Sequence, residues 1–190
     1  MTIKVDKLII LDRDGVINED RDDYVKSRDE WIPIPKSLEA IALLSQAGYT
    51  LTIATNQSGI ARGYYTLSEL HAMHQKMMDL LKPLNGRIDS IFFCPHTDAD
   101  RCDCRKPKPG LMHQIANRYL KNPANPALPL SNVPIVGDSL RDLLAGTALG
   151  ATPHLVLTGK GRGIKTAELP SNTRVHEDLM AFAQSTLARP

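Results

Sequence analysis

Short, wholly apolar runs alternate along this chain with amphipathic stretches. The first run is Leu8-Ile9-Ile10-Leu11, which has no polar face and so suits a strand covered on both sides in a parallel sheet. Leu38, Ile41, Ala42 and Leu44 then recur at helical spacing, and Gly48 supplies a usual helix stop. A second strand is expected over 49–55. Thr66 and Glu69 form a capping-box pair ahead of Leu70, Met73, Met77 and Leu81, so a helix follows, with the methionines filling core. A third strand is expected over 88–93, then a cysteine-rich loop and a helix carrying Leu111, Ile115 and Tyr119. Residues 122–132, rich in Pro and Asn, read as a surface loop. A fourth strand over 133–136, a helix behind Ser139, a fifth strand over 154–157, a glycine-rich loop over 159–163 and a last helix over 177–187 complete the pattern. Such alternation predicts an α/β fold with a doubly wound, mostly parallel sheet of Rossmann type. No repeat or linker divides the chain, so one domain over 1–190 is expected.

Composition narrows the function classes. A length of 190 residues suffices for a proper core. The formal net charge of +2 is too small to argue for nucleic acid, and no basic stripe is present. No apolar run is long enough to span a bilayer, and the first residues lack a secretory segment. With only three cysteines, they cannot all pair within the chain; a reducing, cytoplasmic setting is expected. On that reading the sequon Asn56-Gln57-Ser58 is a chance match. No nucleic-acid or membrane partner is expected, and a monomer is.

Chemistry gathers where the strands end. The first apolar run stops at Asp12-Arg13-Asp14-Gly15, the second at Thr55-Asn56, and the fourth at Gly137-Asp138. A D-x-D-G turn alone is an ordinary loop former, and a calcium loop would need an acidic ligand near its end that is missing here. In a parallel sheet, however, all these ends share one edge. Three carboxylates, a hydroxyl, an amide and the basic pair Arg105-Lys106 then form one constellation. Carboxylates with a divalent cation and a lysine are what phosphoryl transfer requires, because negative charge must be neutralised from several sides.

Asp12-Arg13-Asp14-Gly15-Val16, Thr55-Asn56, Lys106 and Gly137-Asp138-Ser139-Leu140-Arg141-Asp142 resemble the four ordered motifs of the haloacid dehalogenase superfamily of phosphohydrolases. The run TNQSGIARG (55–63), the C-P-H and C-D-C-R-K-P-K-P-G loop and GDSLRD resemble, more narrowly, the heptose-bisphosphate phosphatase family, which is related to the histidinol-phosphate phosphatases. The likeness runs from about residue 8 to about residue 161. It implies a fold without a large cap domain, and a small-molecule sugar bisphosphate as substrate in the synthesis of lipopolysaccharide-core precursors. It also implies catalytic roles for Asp12 as nucleophile, Asp14 as acid and base, and Thr55 and Lys106 as holders of the phosphoryl oxygens. A catalytic Mg2+ would take Asp12, the Asp14 carbonyl and Asp138, with Asp142 either behind them or on the helix surface. Substrate contacts are expected from Arg13, Asp20, Arg21, Asp22, Asp23, Thr55, Asn56, Gln57, Ser58, Arg105, Lys106 and Ser139. The chain departs from the family over 21–23, where many members carry a His-Gly pair, and more mildly at Val16 and Ser139. Lys160, in the glycine-rich loop, is read equally as a wall for the phosphate or as solvated surface.

Cys94, His96, Cys102 and Cys104 use every cysteine of the protein within one short loop. Three thiolates and an imidazole make a complete tetrahedral set for structural Zn2+, which would stiffen the loop that delivers Arg105 and Lys106. His71, His74, His113, His154 and His176 show no ligand spacing and are expected at the surface or on helix faces. The rival readings are a histidinol-phosphate phosphatase and a non-catalytic sugar-phosphate-binding module; a nucleic-acid 3′-phosphatase lacks a basic groove and a stacking platform.

Overall fold

A computed structural model describes residues 7–120 and 125–188. The amino-terminal segment over 1–6 and residues 122–124 of the expected surface loop lie outside the described residues. Strand β1 (Leu8–Leu11) runs through the middle of the sheet, and none of its four residues is more than 3% exposed. Helix α1 (Ser37–Gln46), β2 (Thr50–Asn56), α2 (Leu67–Leu81) and β3 (Ser90–Cys94) follow. Next come α3 (Gly110–Tyr119), β4 (Pro134–Gly137), α4 (Leu140–Thr147), β5 (Thr152–Val156), β6 (Arg174–His176) and α5 (Leu179–Leu187). The six strands are ordered β3-β2-β1-β4-β5-β6 and every pairing is parallel.

The alternation of β1 side chains divides the core. Ile9 and Leu11 face the layer of α1, α2 and α5, where Ile41, Leu44, Met73, Met77 and Phe182 are buried. Leu8 and Ile10 face α3 and α4 through Leu111, Ile115 and Ala145. Helices therefore cover both faces, which a parallel sheet requires. α2 starts with the expected capping box: Thr66 Oγ1 accepts from Glu69 N at 3.2 Å, and the Glu69 carboxylate accepts from Thr66 N at 2.6 Å.

β1 matches the sequence reading residue for residue, whereas β2 to β5 are shifted by one or two residues. Polar Asn56 joins the ladder because it lies opposite Cys94. β6 was not foreseen: it is three residues long, Arg174 and Val175 are exposed, and it pairs only with β5. His154 is a correction too. It is 4% exposed inside β5, its Nδ1 lies 2.9 Å from His176 Nε2, and its ring meets Phe182 edge-on. Among the described residues, no helix is long and apolar enough to cross a membrane.

The order of the strands reverses its direction of growth between β1 and β4. Their carboxyl ends open the crevice in which doubly wound sheets bind ligands.

Candidate active site

The chain leaves β1 at Asp12 and turns at once, with the amides of Val16, Ile17 and Asn18 all donating to the Arg13 carbonyl at 3.3, 2.8 and 3.2 Å. The turn needs Gly15, whose φ is +82° and whose α-carbon lies against the Asp138 carboxylate, leaving no room for a β-carbon. Gly159 presses on the same carboxylate at a φ of +54°. The two loops are tied where Thr158 Oγ1 donates to the Gly15 carbonyl at 2.6 Å and Lys160 N donates to Asp138 Oδ2 at 2.8 Å.

Asp14 sits in a cage of donors. Its Oδ1 accepts from Arg13 Nη2 at 2.8 Å, Arg13 Nε at 3.2 Å and Asn18 Nδ2 at 2.9 Å, while Oδ2 accepts from Gln57 Nε2 at 2.8 Å. Burial pushes the carboxyl up, but the Arg13 charge and these hydrogen bonds outweigh it and hold Asp14 below the usual range.

Asp12 is oppositely placed. Burial, and next the Asp142 carboxylate, raise it well above the usual range against the pull of Lys106. Lys106 is 2% exposed, and its Nζ lies 2.9 Å from Asp12 Oδ1, 2.6 Å from Asp142 Oδ1 and 2.6 Å from the Ala54 carbonyl. Burial works against that ammonium, but the two carboxylates hold it charged and raise it above its ordinary value. Asp138 is pushed up to about 7 by burial and then by Asp142. One oxygen each of Asp12, Asp138 and Asp142 lies within 4.8 Å of the others. Three carboxylates around one ammonium leave excess negative charge in an all-oxygen donor set, which suits a hard divalent cation.

Asp12, Asp14, Thr55, Lys106, Asp138 and Asp142 thus line one cavity. Asp142, for which a helix surface was the alternative, is 2% exposed. Asp20, Arg21, Asp22, Ser58 and Arg105 also line it. Across the mouth, Lys160 Nζ pairs with Asp20 Oδ2 at 2.9 Å, and Arg105 is held by Asp98 at 2.7 Å.

Five expected substrate contacts spend their side chains on protein partners, although Arg13, Asn56 and Gln57 also line the cavity. The Arg13 guanidinium, 1% exposed, is bound to Asp14 and to Gln57 Oε1. Gln57 has both ends of its amide occupied inside the protein, Nε2 donating to Asp14 and Thr55 and Oε1 accepting from Tyr65 and Arg13. Ser139 donates from N and Oγ to Asp142 Oδ2 at 3.0 and 2.6 Å, closing the start of α4. Asp23 is spent on Arg21 and Lys26. The Asn56 side chain bridges the Lys106 main chain, accepting from its N at 3.1 Å and donating to its O at 3.0 Å. Tyr65 and Arg141 line the cavity without having been read from the sequence. Arg141 had a signal, standing one residue before Asp142 in the GDSLRD run; Tyr65 had none.

Beyond β3, the loop draws Cys94, His96, Cys102 and Cys104 together. The three Sγ atoms lie 3.1 to 3.6 Å apart, and His96 Nδ1 is 3.3 Å from Cys104 Sγ and 3.6 Å from Cys94 Sγ. A tetrahedron with metal–sulfur bonds of about 2.3 Å has edges of roughly 3.8 Å, wider than this set as it stands, while the kind and number of its donors suit a zinc ion. The thiols form no disulfide.

A parallel sheet of this order, with an aspartate pair after its first strand, a lysine after its third and acids after its fourth, defines a phosphohydrolase of the haloacid dehalogenase type. The HAD-hydrolase-like family model matches residues 103–181. A D-glycero-β-D-manno-heptose-1,7-bisphosphate 7-phosphatase of Neisseria meningitidis is 54% identical over 181 residues, covering 94% of this chain and 93% of its own. One of Pseudomonas aeruginosa is 52% identical over 180 residues, covering 95% and 97%. The crystal structure of the D,D-heptose 1,7-bisphosphate phosphatase of B. bronchiseptica, complexed with magnesium and phosphate, superposes with a TM-score of 0.89 at 52% identity, covering 95% of this chain and 98% of that one. The chain belongs to the D-glycero-β-D-manno-heptose-1,7-bisphosphate 7-phosphatase family.

Proposed function

We propose that the protein removes the 7-phosphate of D-glycero-D-manno-heptose 1,7-bisphosphate through an aspartyl-phosphate intermediate, in the supply of nucleotide-activated heptose for the lipopolysaccharide core. One observation carries this reading: a buried Lys106 ammonium stands 2.9 Å from Asp12 Oδ1, beside Asp14 and Thr55, in a chain 54% identical to a phosphatase of that name.

Asp12 attacks phosphorus, and Asp14 gives a proton to the departing sugar oxygen, later taking one from the water that opens the intermediate. Lys106 and Thr55 hold the phosphoryl oxygens as charge moves onto them. Arg105 faces the phosphate that is kept, exchanging Asp98 for it. Mg2+ would be held by Asp12, the Asp14 carbonyl and Asp138, and when bound it neutralises phosphoryl charge. Zn2+ would be held by Cys94, His96, Cys102 and Cys104, fixing the loop that ends in Arg105 and Lys106. The chain acts as one domain, in the cytoplasm, as a monomer.

The test is phosphate release from the heptose bisphosphate, with 31P NMR identifying the phosphate that remains. Release is expected to need Mg2+, to spare the 1-phosphate, and to fall by roughly 10⁴-fold or more in Asp12→Asn. Faster turnover of histidinol phosphate, or a fully active Asp12→Asn, overturns the reading.

A further inference from the structure

Tyr65 is 5% exposed beside the cavity, and the reaction as described gives it no part. Its hydroxyl donates to Gln57 Oε1 at 2.6 Å, the shortest bond that amide makes. Arg13 Nη2 reaches the same oxygen at 3.2 Å. Arginine can only donate, so Oε1 must face Arg13 and Nε2 must face the other way. There Nε2 meets Asp14 Oδ2 and Thr55 Oγ1, each at 2.8 Å. Arg13 thus fixes which way the amide faces, and the phenol, which burial holds up at about 12 and which therefore keeps its proton, anchors it there with the shorter bond.

Two further features show that the arrangement is built in. The ring of Tyr65 closes over Gly59, where any β-carbon would overlap it. The donors on Asp14 are also unequal: Oδ1 has three bonds from Arg13 and Asn18, and Oδ2 has only the one from Gln57. Oδ2 is therefore the oxygen with a lone pair left to carry a proton, and the Gln57 amide sets its direction.

We propose that Tyr65 is a positioning residue for the chemical step, acting through the Gln57 amide to aim Asp14 Oδ2 at the leaving-group oxygen. The inference rests on Asp14 acting as the acid of phosphoryl transfer. In that step the Asp12 oxygen–phosphorus bond forms as the phosphorus–alkoxy bond breaks. The negative phosphoryl group bound beside Asp14 favours its protonated form, and the proton on Oδ2 passes to the departing oxygen, giving the alcohol and leaving Asp14 as carboxylate.

Aryl and alkyl phosphates separate this role from a structural one. Nitrophenolate leaves without a proton, whereas a sugar alkoxide does not, and kcat/KM reports only steps through departure of that group. In Tyr65→Phe, kcat/KM on the sugar phosphate is expected to fall about tenfold, and on p-nitrophenyl phosphate no more than about twofold. Gln57→Met, of similar volume, widens the gap to roughly a hundredfold against about fivefold. Tyr65→Phe keeps the ring over Gly59 and Gln57→Met leaves Tyr65 intact, so either variant decides the matter should the other fail to fold. Equal losses on both substrates, or no loss on either, overturn the proposal. Wild-type turnover of the heptose bisphosphate tests the substrate separately, because the alkyl-to-aryl ratio can be read on any alkyl phosphate the wild type hydrolyses.

Discussion

Lys106 lies between two acids with different tasks, Asp12 at 2.9 Å and Asp142 at 2.6 Å. A buried ammonium in that position keeps its charge only through such company, since burial alone would strip it. Asp142 also accepts from Ser139 at the start of α4, so one carboxylate fixes both the lysine and the helix. Asp142→Asn keeps an oxygen for Ser139 but leaves Lys106 to Asp12 alone. Turnover in the phosphate-release assay should fall about 10–100-fold; unchanged turnover would reduce Asp142 to a helix cap. At this scale, the convergence of Asp12, Asp14, Thr55, Lys106 and Asp138 on one cavity was legible because each stands beside a strand end or a motif. That Arg13, Gln57 and Ser139 spend their polar atoms inside the protein was not legible, since which way a side chain turns depends on its partners in the fold. Gln57 meets Asp14 across a separation of 43 residues.

β1 was readable to the residue because charged groups close both ends of an apolar run, Lys7 before Leu8 and Asp12 after Leu11. β6 was not, because three residues with two exposed carry no periodicity. The β3–α3 connection was read by its chemistry instead: four soft or borderline ligands gathered in one loop. Lys106 follows Cys104 by two residues, so the cluster ought to govern catalysis more than folding, since only the last rung of the β2–β3 ladder, Asn56 opposite Cys94, involves one of its residues. Treatment with a zinc-selective chelator, followed by assay in restored Mg2+, is expected to remove one zinc per chain. Turnover should fall at least tenfold while far-UV circular dichroism stays near that of the untreated protein. Full activity in zinc-free protein would disconnect the loop from the site.

For the whole molecule, acid stability is set in part by two histidines the fold keeps neutral. Burial, then the Arg13 cation at 3.4 Å, lowers His74 to about 3, and burial lowers His176. The unfolded chain takes up protons near the ordinary histidine value of about 6.5, and the folded one refuses them. Stability from these groups is therefore complete above that value and is lost as pH falls below it, by up to about 1.4 kcal/mol per unit for a fully shielded ring. Urea unfolding at pH 7 and pH 5 should show His74→Gln losing about 1 kcal/mol less than the wild type between the two. An identical loss in both would remove His74 from the account.

Gly15 and Gly159 touch the Asp138 carboxylate from two loops that meet only in three dimensions. In a saturation screen for function, neither position would tolerate even a methyl group. Both would score beside the aspartates, although neither has a side chain with which to do chemistry. A map of such scores would outline the packing around Asp138 as sharply as the reacting groups themselves.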